Sequence, residues 1–504
     1  MAYVPPNSTV QYFSDLGLSR DDTLYFDSVS SKNTYFANLT KIASEESLTY
    51  VSREKGIIRS SLPMSTAINI GYMRYRNTNF ENFWFYAYVT EVEYINNGLT
   101  EIHFEIDNML TYMGVFTLGE CFVERQHVLN DAIGANLCDE RLEYGDYKYR
   151  KIQGTDLLDT LSIVVQASVD VTGTAAPGEM YGNTYSGLHL IKFRTASAVN
   201  EFLDKLTDTQ KSEAIVSINM IPESFSTSTS DSKEIVITKP YTDIDGYTPH
   251  NNKLFIYPYN YITVTNLQGN FADFRYEFFS GNSAYFSLEG KLSTNPEIVC
   301  VPVFYKGIAG KNFSEKITLS GYPTCAYAVD MYKAYLAQQR SNIAVEALSG
   351  VSSGSLRAIS MGGQIVSNIP GAPRSSLISQ ISSIAGEMYN YSQKPPQAGG
   401  SQGSDTLVNI GQKDFLFMQK NITRNYAEMI DNYFDMFGYA VRQHLTPNMN
   451  ARPNWTYCKT IGCIVHGNMP ASAARDIESM FDNGVRFWKN HNNIGNYSLD
   501  NAPT

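Results

Sequence analysis

The string "CKTIGCIVH" places Cys458, Cys463 and His466 close together near the C-terminus. Thiolate and imidazole are zinc ligands, but a structural zinc site takes four of them, usually with compact cysteine pairs. The nearest additional candidate, His444, has no paired partner. In a continuous strand Cys458 and Cys463 have opposite parity and face opposite ways unless Gly462 bulges. The expectation is therefore buried thiols without metal or required disulfide. A second string, "TEIHFEID", sets His103 among Glu101, Glu105 and Asp107. It lacks the helical H-E-x-x-H pair of zinc proteases. Strand alternation alone puts Ile102, Phe104 and Ile106 on one side and the polar residues on a solvated acidic face.

Other chemistry finds little material. No P-loop or dinucleotide-type glycine run occurs. A glycosidase-type carboxylate pair can come from distant segments, and no spacing here points to one. With seven histidines in 504 residues, no catalytic, cofactor-binding or metal-binding residue is assigned, and a non-enzyme without cofactors is expected.

The unusual stretch is "GVSSGSLRAISMGGQIVSNIPGAPRSSLISQISSIAG", charged only at Arg357 and Arg374. Its apolar groups include Leu356, Ile359, Ile365, Val366, Ile369, Leu377, Ile378, Ile381 and Ile384, with Met388 just beyond. Leu377, Ile381, Ile384 and Met388 recur at helical spacing and would give a short helix one apolar face and one serine-rich face. Pro370, Gly371 and Pro373 mark a turn between two arms. Three readings compete: a packed hairpin, a flexible linker, or a sheltered segment that enters a bilayer once released. A single copy inserts poorly, because its polar groups need partners in lipid. Several copies packed through Ser and Gly could satisfy one another.

Elements that would carry this segment read as mostly β. "NFWFYAYVTEVEYI" and "TEIHFEIDNML" flank an Asn-Gly turn and form a long hairpin. "GIIRSSLPMSTAINIGYMRYRN" gives two strands around Pro63. Residues 131–235 read as an α/β insertion, with a strand in "TDLLDTLSIVVQASVD", a loop-rich "VDVTGTAAPGEMYGNTYSG" and a helix in "ASAVNEFLDKLTDTQKSEAI". Strands resume from "NKLFIYPYNYITVTNLQGNFADFRYEFF" to "EIVCVPVFY". Helices are expected in "VDMYKAYLAQQRSNIAVEAL" and around Met418 to Met436, flanking the uncharged stretch. "NWTYCKTIGCIVHG", a helix in "NMPASAARDIESMFDNG" and a strand in "VRFWKN" close the chain. The aromatic content of 13% leans toward sheets and subunit contacts. "MAYVPPNSTV" carries no signal-peptide pattern, so synthesis in a cytoplasm is expected.

The order of "WFYAYVTEVEY", "HFEID", "CFVERQHV", "NPEIVCVPVFYKGIAG", "DMYKAYLAQQRSN", "FDNGVRFW" and "NIGNYS" resembles the tail knob proteins of short-tailed phages of the phi29 type. The likeness runs along the whole chain and is weakest at 150–235. It implies a mainly β fold with an α+β insertion, a β-barrel tube domain assembled from distant segments, and a helical-hairpin or loop excursion. The implied division is 1–130 and 437–504 for the tube, 131–235 for the insertion, 236–330 for a further β domain, and 331–436 for helix, apolar loop and helix. It also implies a homohexamer at the distal end of a virion tail, next to a lower collar protein and tail-tip proteins. Such a tube conducts double-stranded DNA, and a loop at about 349–386 penetrates the host cytoplasmic membrane. This loop is richer in serine than the family pattern and interrupted by Pro370 and Pro373. A receptor-binding appendage, with Tyr181 and Tyr185 on exposed loops, is the alternative; a wall-degrading enzyme ranks behind it.

A formal charge of −11 argues against tight DNA binding, since gripping phosphates needs a basic surface. Fluorescence anisotropy with duplex DNA should show no submicromolar, salt-sensitive complex.

Overall fold

The computed structural model describes residues 7–48, 50–52, 56–77, 83–157, 161–168, 170, 172, 176–181, 184–208, 214–225, 232–291, 297–320, 324–327, 356–360, 363–367 and 414–502. The chain divides into two units: 1–146, 246–255 and 422–504 form the first, and 147–245 with 256–421 the second.

In the first unit the expected hairpin is present. Phe85–Asn96 and Leu99–Ile106 pair antiparallel, with register shifts between Val89 and Glu91 and between Tyr94 and Asn96. They sit inside a seven-stranded sheet ordered Ala43–Glu46, Ser8–Phe13, Tyr72–Asn77, Phe85–Asn96, Leu99–Ile106, Ile57–Ser60, Tyr50–Ser52. Among the described residues the order has two ends, so the barrel expectation takes the form of a half-barrel. Period-two burial builds its core: Val10 and Tyr12, Met73 and Tyr75, Ile102 and Phe104 all pack together.

Asp107 corrects one expectation. It is not on the solvated face but buried, ending the strand and capping the helix Asn108–Tyr112. Its carboxylate accepts from Leu110 N at 2.9 Å and Tyr72 OH at 3.0 Å, and burial pushes its pKa up. At the other end of that helix, buried Lys32 donates to the carbonyls of Leu110, Thr111 and Met113 at 2.7, 2.9 and 3.0 Å. An anion at the N-terminus and a cation at the C-terminus both oppose the helix dipole. Burial draws the Lys32 pKa down to about 7 against the attraction of Asp107.

A second sheet runs Asp22–Leu24, Val485–Trp488, Trp455–Ile461, Cys121–Gln126, Tyr439–Leu445. Its first pair is parallel. The helix Ala471–Asn483 begins after Pro470, ends at Gly484 (φ +97°), and packs Ile477, Met480 and Phe481 into the core.

The Gly246–Phe255 stretch belongs to this unit through polar contacts with the helix Arg424–Phe437. Asp431 accepts from the backbone N–H groups of His250 and Asn251 at 2.7 and 3.1 Å, and from Tyr247 OH at 2.8 Å. Asn251 donates through Nδ2 to Asp431 at 2.9 Å and to Asp435 at 2.7 Å. Glu140, also buried, takes Lys253, Arg125 and the Ala440 N–H. The sequence reading placed a helix from Met418. Leu416–Ile422 is instead a strand with alternating burial, and the helix starts only at Arg424. Inward Phe417, Gln419 and Asn421 set period two, which overrides the helical propensity of the neighbouring residues.

Among the described residues the second unit holds three sheets. One runs Tyr147–Gly154, Leu416–Ile422, Asn260–Thr265, Phe271–Arg275, and another Ser232–Thr238, Ser283–Lys291, Glu297–Val303, Ile317–Leu319. They share a core of Ile262, Val264, Phe274, Phe286, Leu288, Cys300 and Phe417. The third runs Ala176–Tyr181, Thr184–Phe193, Leu161–Ala167, Ile215–Pro222, Thr324–Tyr327, Leu356–Ser360, Gly363–Ser367, with the helix Ala196–Asp208 in the same segment. The supposed loop at "VDVTGTAAPGEMYGNTYSG" thus contains two paired strands. Gly182-Asn183, a hairpin-turn pair, separates them in sequence. The helix expected in "VDMYKAYLAQQRSNIAVEAL" lies outside the described residues.

His127 supplies a pH test of the first unit. Its Nδ1 accepts from Tyr457 N–H at 2.8 Å, and Nε2 faces the Phe434 and Asp435 carbonyls, each at 3.1 Å. One acceptor and one donor position fix the neutral tautomer, and burial depresses the pKa to about 3. Because the folded pKa lies below the ordinary 6.5, this group's stabilisation is complete above pH 6.5 and is lost as pH falls toward 3. His250, raised by its bond to Asp435, has the opposite sign but remains in both proteins compared. Going from pH 7 to pH 5 should cost the wild type about 2 kcal/mol more than His127→Asn, read from denaturant midpoints.

Candidate functional site

Four of the singled-out residues of the uncharged stretch fall in described backbone. Leu356 and Ile359 lie in Leu356–Ser360; Ile365 and Val366 lie in Gly363–Ser367. These strands pair antiparallel from Leu356↔Ser367 to Ser360↔Gly363, and Leu356–Ser360 pairs with Thr324–Tyr327. The first arm is therefore a β-hairpin rather than a helix. Its β-branched Ile359, Ile365 and Val366 favour extended backbone, and the neighbouring strand offers a ladder to extend. Ile369, Leu377, Ile378, Ile381, Ile384 and Met388 lie outside the described residues, as do Pro370, Gly371 and Pro373. So does the linker "KPPQAGGSQGS".

Gly363–Ser367 ends the strand order of its sheet among the described residues. An outermost strand presents N–H and C=O groups that can pair with a further strand. That is the chemistry the described part of this segment offers. It involves neither proton transfer nor a nucleophile.

The candidate zinc ligands are not brought together. Cys458 and Cys463 do share one core, with Cys121 as a third thiol, because Gly462 takes φ +66° and turns the chain after Ile461. Gly462 is thus the break in alternation that lets the two thiols share a side. His466 is exposed, while Cys458 and Cys463 are buried. Burial pushes the Cys458 and Cys463 thiols up, the latter to about 12, and raises Cys121 as well. Cys121 is a third thiol that the spacing of Cys458 and Cys463 does not point to. The alternation of "CFVERQ", buried at Cys121 and Val123, was the available signal.

The family model described as Bacillus phage phi29, tail knob protein gp9, C-terminal domain, matches residues 223–502. The model for the caudoviral major tail protein N-terminus matches residues 6–116. Tail knob protein gp9 of Bacillus phage PZA is 24% identical over 601 aligned residues, covering 99% of this chain and 100% of the relative. The corresponding protein of Bacillus phage B103 is 22% identical over the same coverage. Among solved structures, the bacteriophage C1 tail knob protein, gp12, superposes with a TM-score of 0.57 at 14% identity, covering 98% of this chain and 99% of that one.

The thiols give a direct chemical check. A raised pKa leaves little thiolate, the reactive form. At pH 8 the native protein should react with Ellman's reagent at half-buried Cys138 and spare Cys121, Cys458 and Cys463 until denaturant is added. Peptide mapping of the labelled sites reads the outcome.

Proposed function

We propose, for a chain that belongs to the tail knob family of phi29-like phages, that it forms a homohexameric tail tube through which the genome leaves the virion. The observation that carries this reading is the match to tail knob proteins over 99% of the chain. In this role the protein sits at the distal end of the tail, joins a lower collar protein and tail-tip proteins, and is made in the host cytoplasm. Its work is structural: assembly and conduction, without turnover. The negative charge suits a conduit, because DNA crosses a non-basic lining without the counterion release that would hold it.

Residues 349–386 act, in this proposal, as a releasable segment that enters the host cytoplasmic membrane. The support is compositional: only Arg357 and Arg374 are charged in 350–386. Among the described residues no helix is long and apolar enough to cross a membrane. In this proposal insertion depends on several copies satisfying one another's backbone and serine groups. A ring is the arrangement that supplies those copies at one place.

Native mass spectrometry and axial electron-microscope projections should show six chains around a hole; a stable monomer or a solid trimeric spike would refute the tube. The membrane role is read separately, by dye release from liposomes. Ile381→Asp with Ile384→Asp puts two charges on the apolar face, each costing about 2.5–3.5 kcal/mol in hydrocarbon. The doubly substituted ring should assemble normally and lose leakage. Equal leakage would leave the segment a plug.

A further inference from the structure

The face assigned from sequence to solvated acids contains a more specific arrangement. Glu93 lies directly across from Glu101, and His103 follows two positions along the same strand, so all three stand on one face of the sheet. Their ligand atoms lie within 4.8 Å of one another. His103 Nε2 is 3.8 Å from Glu93 Oε2, beyond hydrogen-bond length. That nitrogen is closed off from solvent and has no hydrogen-bond partner. Carboxylates directly opposite each other destabilise a strand pair. Arg59, in the adjoining strand, reaches Glu101 Oε2 through Nε at 3.0 Å and offsets one of the two charges.

An orphaned imidazole nitrogen beside two carboxylates, one of them without a tight cation partner, is what a divalent metal would satisfy. We propose that Glu93, Glu101 and His103 bind a first-row divalent transition metal, with zinc as the representative ion. The imidazole donor selects against magnesium and calcium, which take oxygen ligands. Metal–ligand bonds of about 2.0–2.2 Å require the three groups to draw together, which the flexible Glu side chains allow. Glu93 is 59% exposed at its side chain, leaving water free to complete the coordination shell. The site lies between the two register shifts of the hairpin, at Val89/Glu91 and Tyr94/Asn96. A metal there ties the two arms across the short run that the bulges leave least constrained.

Isothermal titration of the full chain with zinc chloride tests the proposal, with magnesium chloride as the contrasting ion. One zinc per chain is expected, with no comparable magnesium signal. His103→Ala and Glu93→Gln should each weaken zinc binding by at least about tenfold. Arg59→Ala frees the Glu101 carboxylate and should strengthen it. All three positions are partly exposed, and circular dichroism confirms that each variant folds. Absence of zinc binding, or equal affinity in wild type, His103→Ala and Glu93→Gln, overturns the site. So does a thiolate absorption band on cobalt substitution, which would place the metal on cysteines.

Discussion

The first unit depends on how ten residues in the middle of the chain are held inside it. Gly246–Phe255 arrives between two stretches of the second unit and leaves again at once. It contributes Leu254 and Phe255 to the interior, but its first half is fastened by polar groups. Asp431 alone gathers two backbone N–H groups, a tyrosine hydroxyl and the Asn251 amide. Buried polar groups cost free energy unless each finds a partner, so a network of this kind is either complete or destabilising. Here it is nearly complete, and it specifies a single way for the crossing to lie. Glu140, shared between Lys253 and Arg125, extends the same logic. Removing one member of such a set leaves the others charged and dry.

Many of the aromatic residues work inside the fold. Composition leans toward contact surfaces, yet Trp455, Trp488, Tyr12, Tyr72, Tyr86, Tyr276, Tyr305 and Tyr439 are among the largest side chains fully buried. Trp455 and Trp488 lie 5.0 Å apart, with Tyr497 against both. Their polar edges are used: Trp455 Nε1 donates to the Asp435 carbonyl and Trp488 Nε1 to Asp22, each at 2.8 Å. Wide rings with one hydrogen-bonding edge join sheets built from segments that are remote in sequence.

What was legible in the sequence was what local periodicity encodes. The Asn97-Gly98 hairpin, the helix between Pro470 and Gly484 and the strands around Pro63 all follow from turn chemistry and alternation. The misreadings share a cause. At Leu416–Ile422 the period-two pattern runs into a helical one, and the boundary at Thr423 carries no side-chain cap to announce it. Asp107 looks like one more acidic residue of an alternating strand until the Tyr72 hydroxyl and the Leu110 N–H are brought to it. In Leu356–Ser367 the pairing partner, Thr324–Tyr327, is too far away in sequence to be anticipated. The convergence of Glu93 with His103 depends on strand register, which spacing within one strand does not reveal.

The parallel pairing of Asp22–Leu24 with Val485–Trp488 has a temporal consequence. A ribosome adds about 5–20 residues per second. Asp22–Leu24 therefore waits through the translation of more than 450 residues before its partner Val485–Trp488 emerges. The second unit draws only on 147–245 and 256–421 and has all its residues earlier. The nascent chain thus passes through a period in which the second unit is available to fold while the first is incomplete, its aromatic residues lacking their final cover. Late exposure of that kind is where aggregation starts, and the rate at which the last twenty residues are made matters more than their share of the chain suggests.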